Sequence, residues 1–361
     1  MKQINSSSFV YRVANACFIF IVFSLISQAF AENVVVKGES LVLSGVESGS
    51  LSFQEIKHHS ISIRNLFDIA DPNLVWYKEG PDYLVDYKEG TISRAKDSTI
   101  PDFSKSPSYG KKDFRSEDIP HIGNKSFFIY VDYETLDGFK WAEPNNQKKY
   151  LLNTRKKLEI GGNFKIATYG DSITAGGGAS KYEFIFTQRY AQFLRKNFPK
   201  SNIILEDYSI PGYTTTEGRA WFNQKPDGIK GPAIGSVKNP DLILIGFGMN
   251  DHNLGGATPE QFESNLIKIV GLARASGADV VLFSSFSPNE NWYYGTHRMS
   301  QYAQATRDAA LKTHSAYVDV FHVWSKVLER KDQSSLLEND INHPNDFGHW
   351  LYEQAFEAML F

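Results

Sequence analysis

Cysteine is almost absent. The chain of 361 residues has one, Cys17, and it lies inside an N-terminal segment that reads as a removable leader. The mature chain would then hold no thiol. Disulfides, a cysteine nucleophile and a cysteine-ligated metal are excluded, even in an oxidising compartment. Basic charge is not in excess either. The formal net charge is −3, and without residues 1–31, which carry Lys2 and Arg12 but no acid, 36 basic residues face 41 acidic ones, a net −5. A nucleic-acid binder normally shows a basic stripe or patch, so no nucleic-acid partner is expected. Metal-ligand spacing is missing too. His58-His59 and His121 fit no pattern such as His-Glu-x-x-His, and neither a metal nor an organic cofactor is expected.

Long apolar runs are confined to one place, Val13 to Ala31, an uncharged run of 19 residues. Lys2 and Arg12 supply a positive n-region, Phe18 to Ile26 the apolar core, and Ala29-Phe30-Ala31 a small-x-small cleavage site before Glu32. The run approaches membrane-spanning length, so a retained anchor is the alternative. Asn15, Ser24, Ser27 and Gln28 dilute it, and we expect cleavage, no stable membrane insertion afterwards, and a periplasmic or secreted protein. Cys17 precedes most of the apolar run, which argues against a lipid-modified cysteine at the cleavage site.

What remains divides into two parts of different character. From about Asn33 to Ile160 the pattern is strand-like. Val34-Val35-Val36, Leu41-Val42-Leu43, Ile61-Ser62-Ile63 and Phe127 to Val131 are short, rich in β-branched and aromatic residues, and bounded by turn formers. Leu74 to Tyr77 and Asp82 to Tyr87 look like paired strands around Lys78-Glu79-Gly80-Pro81. Ser98 to Asp118 reads as a long irregular loop. No convincing helical period appears, so a β-sandwich or jelly-roll-like accessory domain over residues 32–160 is expected.

After Ile160, strands and helices alternate. Phe164–Tyr169, Ile203–Tyr208, Asp241–Gly246 and Val280–Phe286 suit strands buried on both faces. Phe184–Asn197, about Met299–Thr313 and Phe347 to the end suit helices. Thr258-Pro259-Glu260-Gln261 opens another with a capping box and proline at the first helical position. Such alternation implies a parallel sheet covered by helices, with ligands outside the carboxyl ends of its strands. Residues 161–361 are therefore expected to form the catalytic domain.

Three motifs fall at element ends there. Gly170-Asp171-Ser172 follows one strand, Gly248-Met249-Asn250-Asp251 another, and Asp340-Ile341-Asn342-His343 precedes the last helix. A serine hydroxyl becomes a nucleophile only when a base takes its proton, and His343 is the best candidate. Asp340, three residues earlier, could hold the ring's other nitrogen and stabilise the imidazolium. The Ser172 N–H, the Gly212 N–H and the Asn250 side-chain amide could form an oxyanion hole. Each motif alone also fits a turn or a helix cap. Their order on one α/β frame favours hydrolysis of an ester through an acyl-enzyme.

The part from about Phe164 to Phe361 resembles the SGNH (GDSL-type) hydrolase superfamily. Its first block is similar to Gly170-Asp171-Ser172-Ile173-Thr174, its second to Ser209-Ile210-Pro211-Gly212-Tyr213-Thr214-Thr215, its third to Gly248-Met249-Asn250-Asp251 and its fifth to Asp340–His343. The second block commonly carries an asparagine and a further glycine where this chain has Asp207-Tyr208-Ser209. The resemblance implies a flavodoxin-like three-layer α/β/α fold and metal-free hydrolysis of esters, acetyl groups or thioesters. It makes Ser172 the nucleophile, Gly212 and Asn250 oxyanion donors, and Asp340 and His343 the acid–base pair.

The remaining signals concern the substrate. Trp292, Tyr293 and Tyr294 follow the Val280–Phe286 strand and offer flat apolar faces with polar tips, which suit sugar rings; packing against the first domain or covering the core is the alternative. Export and a β-rich companion resemble the layout of some carbohydrate esterases, so the expected substrate is a small-molecule or polysaccharide ester, with deacetylation of a glycan favoured. The alternatives are a lipase-like esterase or lysophospholipase, and a catalytically silent carbohydrate-binding protein. His252 is expected either at the substrate or in the frame, and His349 on the surface of the last helix.

Overall fold

Strands of the second half form where apolar residues run without alternation. Leu242–Gly246 is buried at every position, as a strand covered on both faces requires. The computed structural model describes residues 34–137 and 140–360, and the leader-like segment lies outside them. Glu32–Phe361 form one compact unit.

In chain order the first part contributes β1 (Val34–Leu41), β2 (Ser48–Ser50), β3 (Ser62–Arg64), β4 (Trp76–Tyr77), β5 (Tyr83–Asp86), β6 (Thr91–Arg94), β7 (Ile129–Thr135) and β8 (Asn145–Asn146). The first seven build two antiparallel sheets, β1-β7-β3-β4 and β2-β6-β5. The expected hairpin across Lys78–Pro81 does not form. β4 pairs with β3, β5 pairs with β6, and a single bridge joins Glu79 to Tyr83. The short apolar runs mark strands but not partners, because pairing depends on what each face can bury. Ser98–Asp118 is irregular as expected, apart from single 3-10 turns at Phe103–Lys105 and Ser116–Asp118.

A helix that the pattern does not announce follows, α1 (Leu152–Ile160). Only Thr154 and Leu158 of it are buried, a stripe too narrow to give an apolar period. The second part then runs β9 (Gly162–Gly170), α2 (Phe186–Asn197), β10 (Ser201–Asp207), α3 (Thr215–Ala220), β11 (Leu242–Gly246), α4 (Pro259–Arg274), β12 (Asp279–Phe283), α5 (Met299–Lys312), β13 (Ala316–Val318), α6 (Val320–Leu328), α7 (Asp346–Glu357) and β14 (Met359–Leu360). The sheet is parallel with order β10-β9-β11-β12-β13. Counted from β9 this is 2-1-3-4-5, the flavodoxin-like order. α2 packs on α7 and α7 on α6, while α4 packs on α3 and α5, giving the three-layer α/β/α arrangement. As expected, Thr258 and Gln261 form a reciprocal capping box at α4 with Pro259 in its first turn.

The two parts share one apolar core. Val36, Leu41, Phe53 and Val131 of the antiparallel layers belong to the same buried cluster as Phe164, Leu244 and Phe347. β1 packs on α7, Trp141 meets Phe347 and Trp350 edge-on, and β8 pairs with β14 at the end of the chain. The N-terminal layers are thereby seated on the helix that follows the Asp340–His343 motif.

Candidate active site

β9 and β11 are neighbours in register Gly170 with Gly246, so the loops after them leave the sheet side by side at the point where strand order reverses. Ser172 lies in the first loop and Asn250 in the second. The last loop before α7 brings His343 to the same place. Ser172 Oγ is 2.9 Å from His343 Nε2, the distance expected of a nucleophile and its base. Burial holds the His343 ring below the ordinary imidazole range, which keeps it neutral and able to accept a proton.

The turn carrying His343 is shaped by an asparagine. Asn339 Oδ1 accepts the backbone N–H groups of Ile341, Asn342 and His343 at 3.0, 2.9 and 2.9 Å, and the Glu338 N–H donates to the His343 carbonyl at 2.8 Å. Glycines form the facing wall. A Cβ on Gly177 would lie 3.3 Å from two ring carbons of His343, and one on Gly178 would lie 2.1 Å from the Pro344 carbonyl oxygen at φ +93°. His349 corrects an expectation. It is not on the surface but fully buried, because the face of α7 bearing it packs on Phe186. Its Nδ1 accepts from the Phe186 N–H at 3.4 Å and its Nε2 donates to the Gly177 carbonyl at 3.2 Å. Burial pushes its pKa down to about 3, so the ring is a neutral brace for the wall beside His343.

Asp340 sits in the left-handed region at φ +57° and is buried. Its Oδ1 accepts from Asn124 Nδ2 at 2.9 Å and from Asn289 Nδ2 at 3.4 Å, and its carbonyl accepts from Asn289 Nδ2 at 2.8 Å. Burial raises its pKa, against hydrogen bonds from Ser108, Asn124 and Ser334 that lower it. Among the described residues no hydrogen bond joins its carboxylate to His343. The sequence placed Asp340 in the right loop, and the structure turns its carboxylate toward the two asparagines.

The three candidate donors gather at the carboxyl edge. Asn250 Nδ2 donates to the Tyr213 carbonyl at 2.9 Å, tying the third block to the residue after Gly212. An amide NH2 has two protons, so one remains for a substrate oxygen. Gly212 has φ +82°, and a Cβ there would meet no atom within 4 Å, so its side of the loop is open. Below them Asp251 accepts from the Thr215 N–H at 2.9 Å and the Thr215 hydroxyl at 2.5 Å, with its pKa pushed up to about 6 by burial. That bond pins the start of α3 to the Asn250 loop.

The aromatic loop packs against the N-terminal part. Trp292 is buried with Phe114, Ile119 and Ile341, and bridges Phe114 along the backbone. Arg115 lies over the Tyr293 ring at 4.3 Å, and the Tyr294 hydroxyl donates to Glu117 Oε1 at 2.5 Å. Tyr293 is 42% exposed. Because Ile341 belongs to this cluster, the loop adjoins the His343 turn. His252 is fully buried with Nδ1 2.5 Å from the Met249 carbonyl oxygen; it is part of the frame. Sequence reasoning missed Asn124, Asn289, Asn339 and the role of His349. Only Asn339, an asparagine opening a turn, carried a local signal.

The strand order is that of a flavodoxin-like three-layer α/β/α fold, and a serine–imidazole pair lies at the carboxyl edge of its sheet. Residues 168–351 match the GDSL-like lipase/acylhydrolase family, and the chain belongs to that family. An arylesterase of Vibrio mimicus is 32% identical over 120 residues, which are 33% of this chain and 52% of that protein. The chain thus spans about half the length of that curated relative. Among solved structures, a two-domain esterase active on acetylated mannans is 20% identical, with 58% of this chain and 52% of that one covered and a TM-score of 0.48. An acetylxylan esterase from Geobacillus stearothermophilus is 22% identical, with 55% and 94% covered and a TM-score of 0.45.

Proposed function

We propose that this protein is an exported serine esterase that cleaves carboxylic esters through an acyl-enzyme and removes acetyl groups from a glycan. The observation that carries the chemistry is the 2.9 Å contact between Ser172 Oγ and His343 Nε2 at the strand-order reversal. In this reading His343 takes the Ser172 proton as Oγ attacks the ester carbonyl. The Ser172 N–H, the Gly212 N–H and Asn250 Nδ2 receive the charge that develops on the carbonyl oxygen. His343 then returns the proton to the departing alcohol, and a water repeats the sequence on the acyl-serine. Asp340 supplies a fixed negative charge in the same loop that favours the transient imidazolium.

The exposed Tyr293 face, with Arg115 across it, supports a sugar at the rim. Trp292, being buried, serves as the support of that rim. The leader-like pattern of residues 1–31 supports export, and residues 32–160 act as the accessory part that walls the site. The test is hydrolysis by purified protein of a p-nitrophenyl ester series and of acetylated xylan, beside Ser172→Ala. We expect a maximum at acetate, acetate release from the polymer and loss of both in the variant. Efficient cleavage of long acyl esters without acetate release would replace the glycan reading with a lipase-like one. Hydrolysis unchanged in Ser172→Ala would end the serine mechanism and leave a binding protein.

A further inference from the structure

Two polar side chains of the N-terminal part, Asn124 and Ser108, reach the Asp340 carboxylate, and Asn124 is the one tied to the whole loop. Asn124 lies in the turn before β7 and is fully buried. Its Nδ2 donates to the Ser334 carbonyl at 3.0 Å, the Leu337 carbonyl at 3.0 Å and Asp340 Oδ1 at 2.9 Å, and its backbone N–H donates to the Glu338 carbonyl at 2.7 Å. Its own Oδ1 is buried without a partner. A buried amide oxygen left unpaired is costly, so this orientation is kept for what the NH2 group holds. Three acceptors surround that group, and only one of them is a carboxylate.

We propose that Asn124 is a positioning residue for hydrolysis, fixing the Asp340 carboxylate and holding it ionised, so that the β-rich part completes the acid–base machinery of the α/β part. The proposal rests on the serine-esterase reading above. A donor aimed at a carboxylate favours its charged form; here Asn124, with Ser108 and Ser334, opposes the burial and the Asp332 charge that raise Asp340. The frame of the loop has separate ties to the same part: Ser40 Oγ donates to the Ser335 carbonyl at 2.5 Å and the Val42 N–H to Ser335 Oγ at 3.1 Å. Those ties hold the backbone and do not touch Asp340, so the two roles are separable.

The experiment measures kcat/KM against pH for the wild type, Asn124→Ala, the isosteric Asn124→Asp, and Ser335→Ala as a control for loop anchoring, with thermal melts of each. Loss of the donor raises the pKa of Asp340, so the ionised fraction falls at a higher pH. Activity needs both a neutral His343 and an ionised Asp340, so in Asn124→Ala the acid limb that His343 sets in the wild type should pass to Asp340 and move up by about one pH unit, with kcat lowered at neutral pH and KM little changed. Asn124→Asp, which places a second carboxylate against the first, should move it further. Ser335→Ala should lose activity, if any, evenly across pH. In an Asp340→Asn background, Asn124→Ala should add almost nothing, since both act through one group. An unmoved acid limb in folded Asn124 variants, or full additivity with Asp340→Asn, overturns the proposal. Ser172→Ala and His343→Ala in the same assay report on the underlying reading: if they retain hydrolysis, that reading fails, whatever Asn124 does.

Discussion

Lys331→Met should destabilise the protein by about 3–5 kcal/mol, the cost of stranding a buried charge. Lys331 and Glu39 are both fully shielded from solvent, with Nζ 2.8 Å from Oε1. Nζ also donates to the carbonyls of Ser40 at 2.9 Å and Ser50 at 3.2 Å. Glu39 is further held by the Ser52 N–H and hydroxyl at 2.8 and 2.9 Å and by the Tyr133 hydroxyl at 2.5 Å. Methionine keeps the stem and removes the ammonium, so the carboxylate stays buried with neutral donors alone. Two carbonyls lose a partner as well. An unfolding entropy of about 2.1 cal/mol/K per residue over roughly 330 residues converts the loss to a Tm lower by about 4–7 °C. Urea unfolding at neutral pH should show a lower midpoint with an unchanged slope. Glu39→Gln in the Lys331→Met background should recover part of the loss, because it removes the stranded charge. A loss under about 1 kcal/mol, or a double variant no more stable than the single one, would refute the assignment of a charge pair that anchors β1 to the start of the loop that carries His343.

The pH profile offers a second check. The His343 ring must be neutral to accept the Ser172 proton, and burial lowers its pKa, so wild-type kcat/KM should fall on acidification only below the ordinary value of about 6.5; a limb at or above that value contradicts the burial argument. Asn250→Ala removes one proposed oxyanion donor and should lower kcat by about 10²–10³-fold with little change in KM, measured by steady-state kinetics on an acetate ester. Gly178→Ala places a Cβ 2.1 Å from the Pro344 carbonyl oxygen at φ +93°. We expect it to push the wall off His343 and cost at least tenfold in kcat, roughly 1.4 kcal/mol of barrier; wild-type turnover would show that the wall is not a determinant.

Much of this protein was legible in one dimension because the relevant signals are local. β11 and β12 are runs of apolar residues, α4 has its capping box, and Ser172, Asn250 and His343 stand at element ends. Alternation of strands and helices was enough for a parallel sheet, and the carboxyl-edge rule was enough to collect three motifs from separate loops. β13, three residues long, and α1, with two buried positions, carried too little periodicity to be seen. His349 read as a surface residue because polarity is a poor guide on a helix buried along most of its length.

By itself the sequence determined the candidate groups: a serine, a histidine and an asparagine amide, set at the ends of elements whose type follows from hydrophobic periodicity, with the one cysteine in the leader-like segment. Only the tertiary structure decided how those groups are held. Strand partners in the β-rich part, the turning of Asp340 toward Asn124 and Asn289, the bracing of Gly177 by His349 and the burial of Lys331 against Glu39 all join residues far apart in the chain. Such contacts leave no trace in local spacing, because they arise from which surfaces pack together and which buried polar groups must then find partners.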